Sequence, residues 1–108
     1  MGKPDSKFSN LIITFSNDFY KFYYALSLAS TLKATGKDVS IFVSGYACYF
    51  IKKNWQNYDK EGINEKLKKK KMGSIEEMFA YCKELEVEIF YCESAIEFLI
   101  LIPKKLLI

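Results

Sequence analysis

Hydrophobic and polar positions follow two different periods along this chain, and the switches between them outline its elements. Leu11-Ile12-Ile13-Thr14-Phe15 is a short, continuous, β-branched run, which predicts a strand buried on both faces. The polar Ser16-Asn17-Asp18 follows at once and predicts a helix cap. From Phe19 the spacing turns helical: Phe22, Ala25, Leu26, Ala29 and Leu32 share one face, while Lys21, Thr31 and Thr35 point elsewhere. Tyr20, Tyr23 and Tyr24 cannot all turn inward, so some aromatic surface is expected to meet another subunit. Gly36 stands where a helix takes its terminating glycine.

Val39-Ser40-Ile41-Phe42-Val43 predicts a second strand. Because a helix joins it to the first, the two strands should be parallel with a right-handed crossover. Ser44-Gly45 breaks the run, and a helix is expected from about Tyr46 through Phe50 and Ile51 to about Trp55. Between Asn54 and Met72 the periodicity is lost. Asparagines, Gly62 and the run Lys68 to Lys71 predict a flexible basic excursion over about 54–72, with a short helix around Glu65 to Lys70.

Ser74-Ile75-Glu76-Glu77 matches a capping box, in which the Ser74 hydroxyl and the Glu77 carboxylate satisfy each other's backbone donors. Ile75, Met78, Phe79, Cys82 and Leu85 then form an apolar helical stripe. Val87 to Tyr91 predicts a third strand ending at Cys92-Glu93-Ser94. Beyond it, Ile96, Leu99 and Ile100 predict a final helix that stops before Pro103. This alternation implies an α/β protein with a small, doubly wound, mostly parallel sheet and helices on both faces.

Composition limits the functions such a sheet can carry. With 108 residues, 50% of them hydrophobic, the chain is expected to form one domain spanning residues 1–108. All sixteen basic residues are lysine, and there is no histidine. The commonest general base, the commonest metal ligand and the bidentate phosphate fork are therefore missing. The net charge of +3 owes much to Lys68, Lys69, Lys70 and Lys71, a local run that reads as a solvated loop, so nucleic-acid binding is not expected. No signal-like apolar segment is present, and no apolar run, Phe98 to Ile102 included, comes near the roughly 20 residues of a membrane span. A soluble, cytoplasmic protein is expected.

Cys48, Cys82 and Cys92 show neither CxxC spacing nor an even count, which predicts free thiols and no metal site. In open α/β sheets, sites form at the carboxyl ends of strands. Three loops qualify: Ser16-Asn17-Asp18, Ser44-Gly45-Tyr46-Ala47-Cys48 and Tyr91-Cys92-Glu93-Ser94. Cys92, where a strand hands over to a helix, is the candidate nucleophile, since helix amides and dipole can stabilise a thiolate. Adjacent Glu93 and the lack of His or Arg limit that activation. Cys48, on the same edge of the sheet, is the candidate second thiol, while Cys82 falls on the apolar stripe and is expected to be packed. For each cysteine the alternative is a plain core side chain. Ser16, Asn17, Asp18, Ser44, Gly45, Glu93 and Ser94 remain as an anion or ligand loop set, because a helix N-terminus binds anions without glycines. Neither GxGxxG nor GxxxxGK[ST] occurs, which removes the main support for a dinucleotide or P-loop site.

Gly73-Ser74-Ile75-Glu76-Glu77-Met78, then Cys82-Lys83-Glu84-Leu85-Glu86-Val87, then Phe90-Tyr91-Cys92-Glu93-Ser94 together resemble the helix, strand and cysteine loop of the DsrE/DsrF-like family. Ala34-Thr35-Gly36-Lys37-Asp38-Val39-Ser40-Ile41-Phe42 is similar to that family's first helix end and second strand. The resemblance covers roughly residues 10–102. It implies a flavodoxin-like, DsrEFH-like fold and a cytoplasmic sulfur-relay role, with Cys92 carrying sulfane sulfur as a persulfide. It also implies a homo-oligomer, sulfur donor and acceptor proteins as partners, and no metal or organic cofactor. A carrier or binding protein is implied rather than a turnover enzyme. The alternative is a non-catalytic oligomerisation or small-ligand-binding module of the same fold, with Cys92 structural. Family members usually continue into a further strand and helix, so after Pro103-Lys104-Lys105-Leu106-Leu107-Ile108 this sheet is expected to lack its last strand or to borrow an edge from a neighbour.

Overall fold

The computed structural model describes residues 9–99. The expectations that concern Ile100, Pro103 and residues 104–108 fall outside that range. Strand β1 (Ser9–Thr14), helix α1 (Phe19–Ala34), strand β2 (Asp38–Val43), helix α2 (Ile63–Lys69), helix α3 (Ile75–Glu84), strand β3 (Glu88–Tyr91) and helix α4 (Glu93–Phe98) follow in order. Among the described residues the sheet has three strands in the order β1-β2-β3, all parallel. The α/β class and parallel sheet expected from the β-α alternation are present.

The register aligns Ile12 with Ile41 and Ile89, and one residue on it aligns Ile13 with Phe42 and Phe90. Because side chains alternate across a strand, these rows lie on opposite faces. The first row faces the core, where Ile41, Val39 and Val43 are sealed from solvent. Both crossovers run in the same direction along the sheet, so α1 and α3 share this inner face. They touch there: the Phe22 and Phe79 rings lie 5.8 Å apart, and the Cys82 thiol donates to Leu26 O at 3.4 Å. Strand β1 departs from the expectation that both its faces are buried, since Leu11 is 59% and Ile13 56% exposed. Their row is the outer one, and the helices that bracket β2 all pack on the inner side.

Helix α1 buries Phe19, Phe22, Tyr23, Ala25, Leu26 and Ala29, whereas Tyr20 and Tyr24 stay exposed. Lys37 N–H reaches back to Leu32 O at 3.1 Å across Gly36, whose φ of +90° is a backbone state that glycine adopts without strain. Helix α3 starts with the capping box its sequence spells, Glu77 N–H donating to Ser74 Oγ at 3.2 Å and Ser74 N–H to Glu77 Oε1 at 2.8 Å.

The single helix expected from Tyr46 to Trp55 is instead two 3₁₀ helices, Gly45–Ile51 and Trp55–Tyr58. Ala47, Cys48, Phe50 and Ile51 are all buried, so this stretch packs on nearly every side and offers no amphipathic stripe for an α-helix. The stretch 54–72 also carries more structure than its polar composition predicts. Trp55 stacks on Phe19 at 5.7 Å, Leu67 is buried, and Asp59 caps α2 through the Ile63 and Asn64 amides at 2.9 and 3.0 Å. Buried Asn64 ties the segment down further. Its side chain accepts from Ile75 N–H at 2.7 Å and donates to Glu76 Oε1 at 3.0 Å.

Candidate functional site

The carboxyl ends of the three strands are stitched together by main-chain hydrogen bonds. Ser44 N–H donates to Thr14 O and Cys92 N–H to Val43 O, each at 2.9 Å. Gly45 lets the loop after β2 close on the loop after β1: its φ is +53°, and a Cβ there would lie 3.1 Å from Phe15 O. These contacts fix where the chemistry-bearing side chains can reach.

Val43 O is the meeting point. It accepts the Cys92 amide at 2.9 Å and also the Cys48 thiol at 3.7 Å, so the two cysteines converge on one carbonyl although 44 positions separate them in sequence. Burial pushes the Cys48 thiol above its ordinary value of 9.0; the Cys92 amide acts in the opposite direction, and charge on Cys92 would push it further up.

The three cysteines differ in access. Cys48 and Cys82 are sealed in the core, whereas Cys92 is half-buried. Cys92 is the N-cap residue of α4, its side chain makes no capping hydrogen bond, and it opens on a shallow groove with Phe42, Phe90, Tyr91, Glu93 and Ser94. Cys82 packs where its place on the apolar stripe predicted. Burial there pushes its thiol up to about 11.

That shift carries a stability consequence. The unfolded Cys82 thiol ionises near 9.0, but the folded one holds its proton to about 11, so the folded state binds the extra proton between these values. This contribution is complete below pH 9.0 and is lost as pH rises to about 11. Urea melts on either side of that window should show a lower midpoint on the alkaline side, and Cys82→Ala should lessen the drop.

The remaining loop residues are divided among different places. Ser16 Oγ accepts from Asp18 N–H, and the Asp18 carboxylate accepts from Lys21 N–H, both at 3.0 Å. The start of α1 is thus already capped by a negative charge, which an incoming anion would meet. Asn17 and Asp18 line a separate cavity of about 470 Å3 with Tyr20, Tyr46, Tyr49 and Tyr58. Tyr49 stacks on Tyr58 at 4.2 Å and on Tyr46 at 6.2 Å. Cys92, Glu93 and Ser94 therefore share one groove, Asn17 and Asp18 another, and Ser44 and Gly45 form the shoulder between strand ends.

Two site features were not visible in the sequence. The Val43 carbonyl carries no side-chain signature, and Tyr58 belongs to the stretch whose polar composition masked its packing. The spacing of Tyr46 and Tyr49, one 3₁₀ turn apart, was the available signal for the tyrosine wall. Among the described residues, no group of three or more His, Cys, Asp or Glu side chains could hold a metal ion. No described helix is long and apolar enough to cross a membrane.

Comparison with curated proteins finds none that matches this sequence. The model of the DsrE/DsrF-like family matches residues 11–107, a span that takes in the stitched strand ends and all three cysteines. The chain belongs to the DsrE/DsrF-like family.

Proposed function

We propose that this protein is a cytoplasmic sulfur carrier that accepts sulfane sulfur on Cys92 as a persulfide and hands it to an acceptor protein. Family membership points to a sulfur-relay-type role in general. The observation that supports the finer reading is access: of the three cysteines, Cys92 alone is not buried, and it stands at the carboxyl end of β3 beside an open groove.

The Cys92 thiolate attacks the outer sulfur of a donor persulfide or polysulfide. The donor's S–S bond breaks, the donor leaves as a thiolate, and Cys92 becomes Cys–S–SH. An acceptor thiolate then attacks that outer sulfur and restores the Cys92 thiolate. Cys92 is the N-cap residue of α4 and lines the open groove, which gives a donor or acceptor its approach. Unpaired thiols fit a reducing compartment.

Incubation with inorganic polysulfide, followed by peptide mass mapping, is expected to place added sulfur on the Cys92 peptide. Cys92→Ser should abolish that label with the melting temperature unchanged. Sulfur never found on Cys92, even at the shortest incubation, or found equally on the other cysteines, overturns the reading.

A second reading is favoured by one observation, the outer sheet face, where Leu11, Ile13, Phe15 and Phe90 are all about half or more exposed. Such a patch suits a homo-oligomerisation module in which Cys92 is structural. Thiol titration separates the two. Cys92 resistant to an aromatic disulfide reagent until urea is added favours the module, and prompt reaction of one thiol favours the carrier.

A further inference from the structure

We propose that Cys48 is a resolving thiol, which converts the Cys92 persulfide into a Cys48–Cys92 disulfide and releases the carried sulfur as sulfide. This rests on the carrier reading of Cys92. In the step, Cys48 Sγ attacks the inner sulfur of Cys92–S–SH, the sulfur bonded to Cys92 Cβ. A new S–S bond forms between the two cysteines, the bond to the outer sulfur breaks, and hydrosulfide departs, taking up the Cys48 proton to leave as hydrogen sulfide. The persulfide supplies the oxidising equivalent, so no outside oxidant enters the step.

Placement supports the pairing. Val43 and Tyr91 are register partners on adjacent strands, and Cys92 follows Tyr91 directly. The 3₁₀ helix Gly45–Ile51 folds back over the end of β2 and brings Cys48 to within 3.7 Å of Val43 O, the same atom that binds the Cys92 amide at 2.9 Å. Cys48 therefore neighbours the backbone of the residue that carries the sulfur.

Access explains the division of labour. Cys48 has no exposed surface, so an external donor or acceptor meets Cys92 first, and the thiol behind it competes only for sulfur that has already been loaded. Cys82 is equally buried, but its thiol points to Leu26 O between α1 and α3, away from the strand ends. Of the two buried thiols, only Cys48 adjoins Cys92. A persulfide handed on quickly keeps its sulfur, whereas one left without an acceptor is cleared as sulfide.

The test uses the full chain loaded with inorganic polysulfide and then freed of excess reagent. By intact mass, the wild-type protein is expected to gain one sulfur atom, then lose it as free sulfide and end two hydrogens lighter than the reduced protein. Dithiothreitol should restore the starting mass, and peptide mapping should join Cys48 to Cys92. Cys48→Ser should keep the added sulfur, with sulfide release lost. Cys48→Ala repeats the measurement without a new buried hydroxyl, and circular dichroism confirms that each variant is folded. If wild type and both variants hold the added sulfur equally long, or if the disulfide joins Cys82 or two chains, the resolving role is overturned. If neither variant takes up sulfur on Cys92, the carrier reading itself fails.

Discussion

Phe22→Ala is expected to lower folding stability by about 3–5 kcal/mol, as observed for buried aromatic side chains cut back to alanine. Phe22 is fully buried, with ring centroids 5.3 Å from Phe50 and 5.8 Å from Phe79. It thus joins α1 both to the 3₁₀ helix that carries Cys48 and to α3. Truncation removes the transfer energy of the ring and leaves a cavity that three elements would have to collapse around. Against a total stability of roughly 5–15 kcal/mol for an ordinary domain, the loss is large. Urea denaturation should show the midpoint moving sharply down. The site should respond as well: with Phe50 left with only its edge contact to Phe19 among the aromatic rings, Cys48 should become more reactive toward thiol reagents in the native state. A midpoint unchanged within error would mean that the ring is not the keystone its contacts describe.

Asn64→Ala is the second large effect, expected at about 1–3 kcal/mol, because it leaves the buried Ile75 N–H without its partner and removes a hydrogen bond from Glu76. The Asn64 side chain accepts from Ile75 N–H at 2.7 Å and donates to Glu76 Oε1 at 3.0 Å, which joins the start of α3 to α2. Burial pushes the Glu76 carboxyl up. Hydrogen bonds from Asn64, its own backbone and Ser74, together with the Lys68 charge, outweigh that push and hold it below its ordinary value of 4.5. A lowered folded value means that this contribution is present above pH 4.5 and is lost as pH falls below it. Asn64→Ala should therefore flatten the acid limb of the stability profile as well as lower its plateau. Glu65→Ala serves as the control. Its carboxylate is exposed and only 3.4 Å from Lys68 Nζ, and such surface pairs contribute at most about 1 kcal/mol.

The segment around Asn64 shows where sequence patterning is weak. Lysines, asparagines and Gly62 dominate residues 54–72, and no period marks them as a packed element. Yet Trp55, Asn64 and Leu67 are buried, Trp55 against Phe19 and Asn64 against the start of α3. A single buried side chain per turn leaves almost no periodic trace. Asn64 in particular reads as a solvent-facing polar residue until its two partners on α3 are in place.

What the sequence determined by itself is whatever depends on neighbours within one or two turns. The helical stripe of α1, the glycine after it, the capping box of Ser74 and Glu77, and three short β-branched runs each specify their own local geometry. The resulting β-α alternation implied the parallel sheet. The sequence also placed Cys92 at a strand end and Cys82 on a buried stripe. Only the tertiary structure decided which face of β1 stays open, since that depends on which side the helices bracketing β2 pack. It also replaced one expected helix by two 3₁₀ turns, because Ala47, Cys48, Phe50 and Ile51 must be buried on several sides at once. The meeting of Cys48 with Cys92 at the Val43 carbonyl was decided in the same way. It joins a thiol on a 3₁₀ helix to a strand-end carbonyl that the Cys92 amide reaches only after a long excursion of the chain, and no side-chain pattern encodes it.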